Sequence, residues 1–205
     1  MSEAYPLIHT VGHSNRTLDA FLSLLAENSI DVIADVRSSP YSSRLPQFNR
    51  ELLAETLLEK QIRYVFMGDQ LGGRATSPGL INSDGQVSYT KMSETTSFRE
   101  GITRLIDGAA RMRIALLCSE KDPLNCHRGL LVARSLASEG VGIRHILDTE
   151  MTETQTQYET RLLDTVNLPP ELTRTEKEVL ADAYAKQAAR VAYKEPANRD
   201  EDNQT

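Results

Sequence analysis

Short apolar runs alternate with stretches of helical periodicity along most of this chain, and that alternation limits the fold more than any other feature. LIHTV (7–11) stops at Gly12, and Leu18, Phe21, Leu22 and Leu25 then recur at helical spacing behind Thr17, a capping residue. DVIADV (31–36) reads as a buried strand halted by RSSPYSS, and Asn49 is placed to cap a helix carrying Leu52, Leu53 and Leu57. IRYVFM (62–67) is a third strand before the loop GDQLGGR. Residues 74–92 are polar and rich in Gly, Ser and Thr, which predicts a loop or small hairpin inserted at one end of the sheet. A helix over 94–110 leads to the strand RIALLC (113–118), and GIRHIL (142–147) makes a fifth.

Strands that alternate with helices imply a mainly parallel open sheet with helices on both faces, a Rossmann-like three-layer α/β fold. We expect about five strands in the order 3-2-1-4-5. In such sheets ligands bind beyond the carboxyl ends of the strands, where the order reverses. That order makes strands 1 and 4 neighbours, so GHSNR (12–16) and CSEKDPLNCHR (118–128) should face each other. The 205 residues divide into one α/β domain over 1–168, a charged C-terminal helix over 169–195 and a disordered polar tail over 196–205. TETQTQYETRLL reads as one amphipathic helix, and Pro169-Pro170 marks a break before the charged helix.

Composition narrows the function classes. A net charge of −6 argues against a broad electrostatic footprint on nucleic acid, although arginines gather between Arg37 and Arg74. No apolar stretch approaches the roughly 20 residues of a membrane helix, and MSEAYPLIHTVGHS lacks the pattern of a signal peptide. The chain is therefore expected to be cytoplasmic, with its two cysteines as thiols and no membrane partner.

LLCSEKDPLNCHRGLLVARSLA (116–137) gathers Cys118, Glu120, Asp122, Cys126, His127 and Arg128 at one strand-to-helix turn. Asp122-Pro123 is a good helix start. Beyond it Cys126, Leu130, Ala133 and Ala137 fall at steps of four, three and four, so Cys126 also reads as a core residue of that helix. A phosphatase-like or rhodanese-like loop is excluded in its strict form. Its arginine position falls on Leu124 counted from Cys118 and on Val132 counted from Cys126. A structural zinc site is not expected, because zinc wants about four ligands, no second cysteine pair exists, and neighbours on a helix point about 100° apart. A catalytic metal on Glu120, Asp122 or His13 stays open, and the sequence leaves any cofactor unknown. An anion pocket is the stronger reading: four successive strand ends carry polar, arginine-bearing turns, namely His13-Ser14-Asn15-Arg16, Asp35-Val36-Arg37-Ser38, Gly72-Gly73-Arg74 and the turn of Arg128.

TVGHSNRTLDAF, DVRSSPYSSRLPQFN, the LGG of DQLGG, and LLCSEKDPLNCHRGLLV followed by HIL resemble, in order, the signature blocks of domain-of-unknown-function family 488, over about residues 7–163. The resemblance implies a compact α/β domain and no agreed activity. It carries over Gly12, His13, Ser14, Asp35, Arg37, Pro40, Ser42, Phe48, Cys118, Glu120, Cys126, His127 and Arg128. Members of the family are sometimes labelled as related to DNA repair.

Three functions compete. The first is an enzyme acting on a small phosphorylated or nucleotide-like anion. Arg37, Arg44 and Arg128 would hold the anion with Ser14, Asn15 and Ser42 beside it, and Glu120, His13, His127 and Asp35 would supply acid–base and orienting groups. The second is a non-catalytic nucleotide sensor or nucleic-acid-associated module using the same arginines. The third is thiol chemistry at Cys118 or Cys126, whose setting by a helix start, His127 and Arg128 favours the thiolate.

Overall fold

The computed structural model describes residues 6–75, 77–168 and 174–194. In chain order the strands are β1 (Leu7–Gly12), β2 (Val32–Asp35), β3 (Arg63–Phe66), β4 (Ile114–Cys118), β5 (Gly142–Asp148) and β6 (Met151–Thr154). The helices are α1 (Leu18–Glu27), α2 (Arg50–Glu59), α3 (Gly68–Leu71), α4 (Tyr89–Ser93), α5 (Thr96–Ala109), α6 (Arg134–Ser138), α7 (Gln155–Val166) and α8 (Glu176–Val191). Thr17 caps α1 as its spacing implies, its side chain accepting from the Ala20 N–H. The expected break at Pro169-Pro170 and the expected tail over 196–205 lie outside the described residues.

The sheet corrects the expected topology in two respects. It has six strands in the order β3-β2-β4-β1-β5-β6, parallel except for β6. β4 thus lies between β1 and β2, which do not pair. The sixth strand comes from MTET (151–154), whose last three residues are expected to open a helix, and it pairs antiparallel with β5 before Thr154 caps α7. Polar residues make a strand there because β5 offers its free edge as a template.

The order explains where the helices go. Connections running toward β3 carry α1 and α2, whose Phe21, Leu24, Leu25, Leu53 and Leu57 pack with Val11, Ile33, Ala115 and Leu117. Connections running the other way carry α5 and α6, which share the second face with α7 and α8. Phe98, Ile102, Leu136, Tyr158, Leu162 and Tyr184 meet Ile8, Ala34, Ile114, Leu116 and Cys118 there. Uniform crossover handedness demands this split. Along β4 the side chains alternate between the two cores, which sends Cys118 toward the α5–α8 face. The chain leaves β2 in one direction and β4 in the other, so the crevice of this sheet opens between the ends of β2 and β4.

Candidate thiol–imidazole site

Cys118 ends β4, and the next nine residues determine what surrounds its sulfur. Asp122 caps the turn Pro123–Asn125 by accepting from the Leu124 N–H at 2.9 Å. Arg161 holds the same carboxylate with two bonds of 2.7 and 2.9 Å while pairing with Glu153 at 2.6 Å. The helix expected to run on from Asp122-Pro123 is interrupted here. Cys126 is fully extended (φ −149°, ψ 144°), and the chain resumes from His127 as a π-helical turn over Arg128–Ala133 that leads into α6. Such turns often accompany functional sites.

That one extended residue removes the divergence expected of neighbouring helical side chains. Cys126 and His127 both turn back on Cys118, and the two sulfurs and an imidazole nitrogen lie within 4.8 Å of one another. His127 Nε2 is 2.8 Å from the Val36 carbonyl at the end of β2. A carbonyl only accepts, so Nε2 carries the proton of that bond and Nδ1 faces the sulfurs, 3.8 Å from each. The Arg128 N–H donates to Cys126 Sγ at 3.3 Å.

The electrostatics single out Cys118. The hydrogen bond from the Cys126 thiol, aided by the charge of His127, holds its pKa well below the ordinary thiol value. Burial, together with the neighbouring Cys118 sulfur, pushes Cys126 the other way. Burial also works against a charged His127, but the Cys118 thiolate outweighs it and its pKa is raised. These opposite shifts favour the thiolate on Cys118 over one on Cys126, with His127 as its charge partner.

All three line a cleft of about 250 Å³. Arg37, Ser38 and Ser39 border it from the end of β2, Gly73 and Arg74 from the β3 side, and Ser119, Glu120 and Asn125 from the β4 loop. Tyr89, Val191 and Tyr193 complete it. The last two belong to the C-terminal region, which lies beyond the family resemblance over 7–163. Gln187 reaches the Leu124 carbonyl at 3.0 Å, and the Arg74 guanidinium lies 4.8 Å from the centre of the Tyr193 ring. Nothing in a charged helical pattern signals such a role.

Other expected site residues land elsewhere. Arg128 is not part of the cleft lining: its guanidinium is completely buried and bonds the Glu120 and Lys121 carbonyls at 3.1 Å each, stapling the β4 loop. Asp35 orients Arg37, one of the roles expected of it, through bonds of 2.9, 3.1 and 2.6 Å. His13 also stands outside the cleft lining. Its Nδ1 donates to the Ser14 carbonyl at 2.8 Å, its Nε2 meets Arg37 NH1 at 3.3 Å, and its ring stacks on Phe48 at 4.4 Å. Burial lowers its pKa, so it stays neutral and buttresses Arg37. The turns after β1 and β4 do meet, but as closed hydrogen-bonded loops (His13 N–H to the Cys118 carbonyl, 3.0 Å) and not across a cleft. Ser14 and Asn15 bond each other there. Ser42 organises its own loop, accepting from the Arg44 and Leu45 N–H groups, and Arg44 is exposed, away from the cleft lining. Glu120 is exposed at the mouth.

Gly73 is required for this packing. A Cβ there would lie 2.6 Å from His127 Cγ and 2.7 Å from Nδ1, against a ring pinned by the Val36 carbonyl. Gly73→Ala should therefore displace the imidazole, costing about 1–3 kcal/mol in thermal unfolding and slowing thiol titration of the native protein. Unchanged thiol reactivity would refute the tight fit.

These features define a doubly wound α/β protein with a buried Cys–Cys–His group at its topological switch point. The model of the family described as "Domain of unknown function DUF488" matches residues 17–135, and the chain belongs to that family. The matched span, narrower than the resemblance over 7–163, still holds Asp35, Arg37, Cys118, Glu120, Cys126 and His127. No curated protein and no solved structure matches the chain.

Proposed function

We propose that this protein is a thiol-dependent enzyme acting on a small anionic ester or thioester. Cys118 is the nucleophile, His127 the general acid and base, and Arg37 and Arg74 hold the anion. The observation that carries this reading is the position of Cys118 Sγ: on the cleft wall at a strand end, facing an imidazole whose far nitrogen is fixed by the Val36 carbonyl. A phosphoryl substrate as the reacting centre is less well supported, since no arginine stands at the position a phosphate-wrapping cysteine loop requires.

The chemistry balances without a further reactant. The Cys118 thiolate bonds to the acyl carbon, and the alcohol or thiol leaves with the proton of His127 Nδ1. Water then attacks the acyl-enzyme and gives its proton to His127 as the S–C bond breaks, which frees the acid and restores the ion pair. The cation contribution is open to a direct check. Iodoacetate and iodoacetamide alkylate the same sulfur and differ in charge. Wild type should favour iodoacetate relative to a free thiol, and Arg74→Ala should reduce that preference several-fold with iodoacetamide little affected. Equal preference in both proteins would remove Arg74 from the anion site.

A further inference from the structure

We infer that Cys118 Sγ, Cys126 Sγ and His127 Nδ1 form a binding site for a soft divalent transition-metal ion of the zinc class, with its fourth position open to the cleft. Among the described residues these three form the group of metal-ligating side chains whose donor atoms converge within 4.8 Å. Two thiolates and an imidazole are the donors zinc prefers. Zn–S bonds of about 2.3 Å and Zn–N bonds of about 2.0–2.1 Å put sulfur and nitrogen roughly 3.5 Å apart around a tetrahedral ion. Both sulfur–nitrogen separations are 3.8 Å, and the sulfurs, within 4.8 Å of each other, would draw in by up to about 1 Å to reach the tetrahedral spacing of roughly 3.8 Å.

Three further features suit an ion. The Nε2–H bond to the Val36 carbonyl is the outer bond that metal-bound histidines make, and it leaves the Nδ1 lone pair to the ion. The Arg128 N–H on Cys126 Sγ supports negative charge on that sulfur. Gly73 lets the ring sit against the chain in this orientation, since a Cβ there would lie 2.7 Å from Nδ1 and push it off the sulfurs. The expectation that no structural zinc binds has two grounds: the extended backbone of Cys126 removes the helical divergence, and the lack of a second cysteine pair leaves three protein ligands and an open fourth position.

Binding would displace the protons the ligand atoms carry, so affinity should fall on acidification. Binding also occupies the sulfur lone pair that attacks substrate. If Cys118 is the nucleophile proposed above, the ion is therefore a reversible block, and the enzyme is active only when stripped of it.

The test is a titration of the reduced full-length chain with Co²⁺. One equivalent should produce the strong visible absorption of a tetrahedral ion together with near-ultraviolet sulfur-to-cobalt charge transfer, and Zn²⁺ should displace both. Cys126→Ser should weaken the charge-transfer band and binding by about tenfold or more, and Cys118→Ser/Cys126→Ser should abolish the band, circular dichroism reporting that each variant is folded. No charge-transfer band with folded, reduced wild type overturns the inference, as does a band that survives in the double variant. Iodoacetamide labelling separates this inference from the enzymatic reading. Fast alkylation of Cys118 with no cobalt band leaves the thiol enzyme standing alone. A cobalt band on a metal-free protein whose Cys118 resists alkylation and turns over no ester leaves the metal site standing alone. Both hold if Zn²⁺ slows alkylation about tenfold or more and a chelator restores it.

Discussion

Cys118→Ser is expected to lower turnover of small anionic esters and thioesters by at least about 10³-fold, because a serine hydroxyl is far from ionised at neutral pH and forms no ion pair with His127. The substitution is nearly isosteric in a buried position, so thermal unfolding should move little. Activity in the variant within tenfold of wild type would exclude Cys118 as the nucleophile. The pH profile of wild-type alkylation supplies an independent check on its state. Thiolate exists above the thiol pKa, and that of Cys118 is depressed by the Cys126 hydrogen bond and by His127. Reactivity should therefore set in at lower pH than that of a free thiol and fall on acidification through that lowered value. His127→Ala removes one of the supporting charges, so its profile should shift upward toward the ordinary thiol pKa of about 8.5. A wild-type profile that rises only near that ordinary value would contradict the thiolate.

The largest stability effect is expected at Asp35. Its carboxylate is completely buried and accepts from Arg37 Nε and NH2, from the Arg37 backbone N–H at 3.0 Å and from the Tyr64 hydroxyl at 2.6 Å. Asp35→Ala leaves the 6%-exposed Arg37 without its counter-ion. Breaking a buried pair in this way costs about 3–5 kcal/mol. At roughly 2–4 °C per kcal/mol for a chain of this size, the midpoint of thermal unfolding should drop by about 6–20 °C. Asp35→Asn keeps the shape and one acceptor oxygen and should lose less. A change below about 1 kcal/mol in Asp35→Ala would mean that Arg37 finds another partner or reaches solvent. Either result bears on function, since Arg37 is fixed at the cleft wall only while Asp35, His13 and the Phe48 carbonyl hold it.

Much of the framework was legible in the residues. Thr17 before Leu18, Phe21 and Leu25 marks α1, and the apolar run before Cys118 marks β4, because capping and side-chain periodicity are local effects. Strand order was not legible. β2 and β4 are buried on both faces throughout, so nothing in their side chains distinguishes the partner on one edge from the partner on the other. β6 was missed for a related reason: MTET has no apolar alternation and becomes a strand only through pairing with the edge of β5.

At the site, the sequence by itself determined which chemical groups are present and that they cluster after a strand. Cys118, Glu120, Cys126 and His127 follow one another too closely to lie far apart in any α/β fold. Only the tertiary structure decided what they do together. Arg128, the residue most suggestive of an anion ligand, is engaged by the Glu120 and Lys121 carbonyls of its own loop. Cys126 leaves the helix for an extended conformation, and the Val36 carbonyl from a neighbouring strand turns Nδ1 of His127 toward both sulfurs. The physical reason is range. Capping and periodicity act over a few residues, whereas the backbone angle at Cys126 and the orientation of His127 depend on partners dozens of residues away, which burial brings into contact.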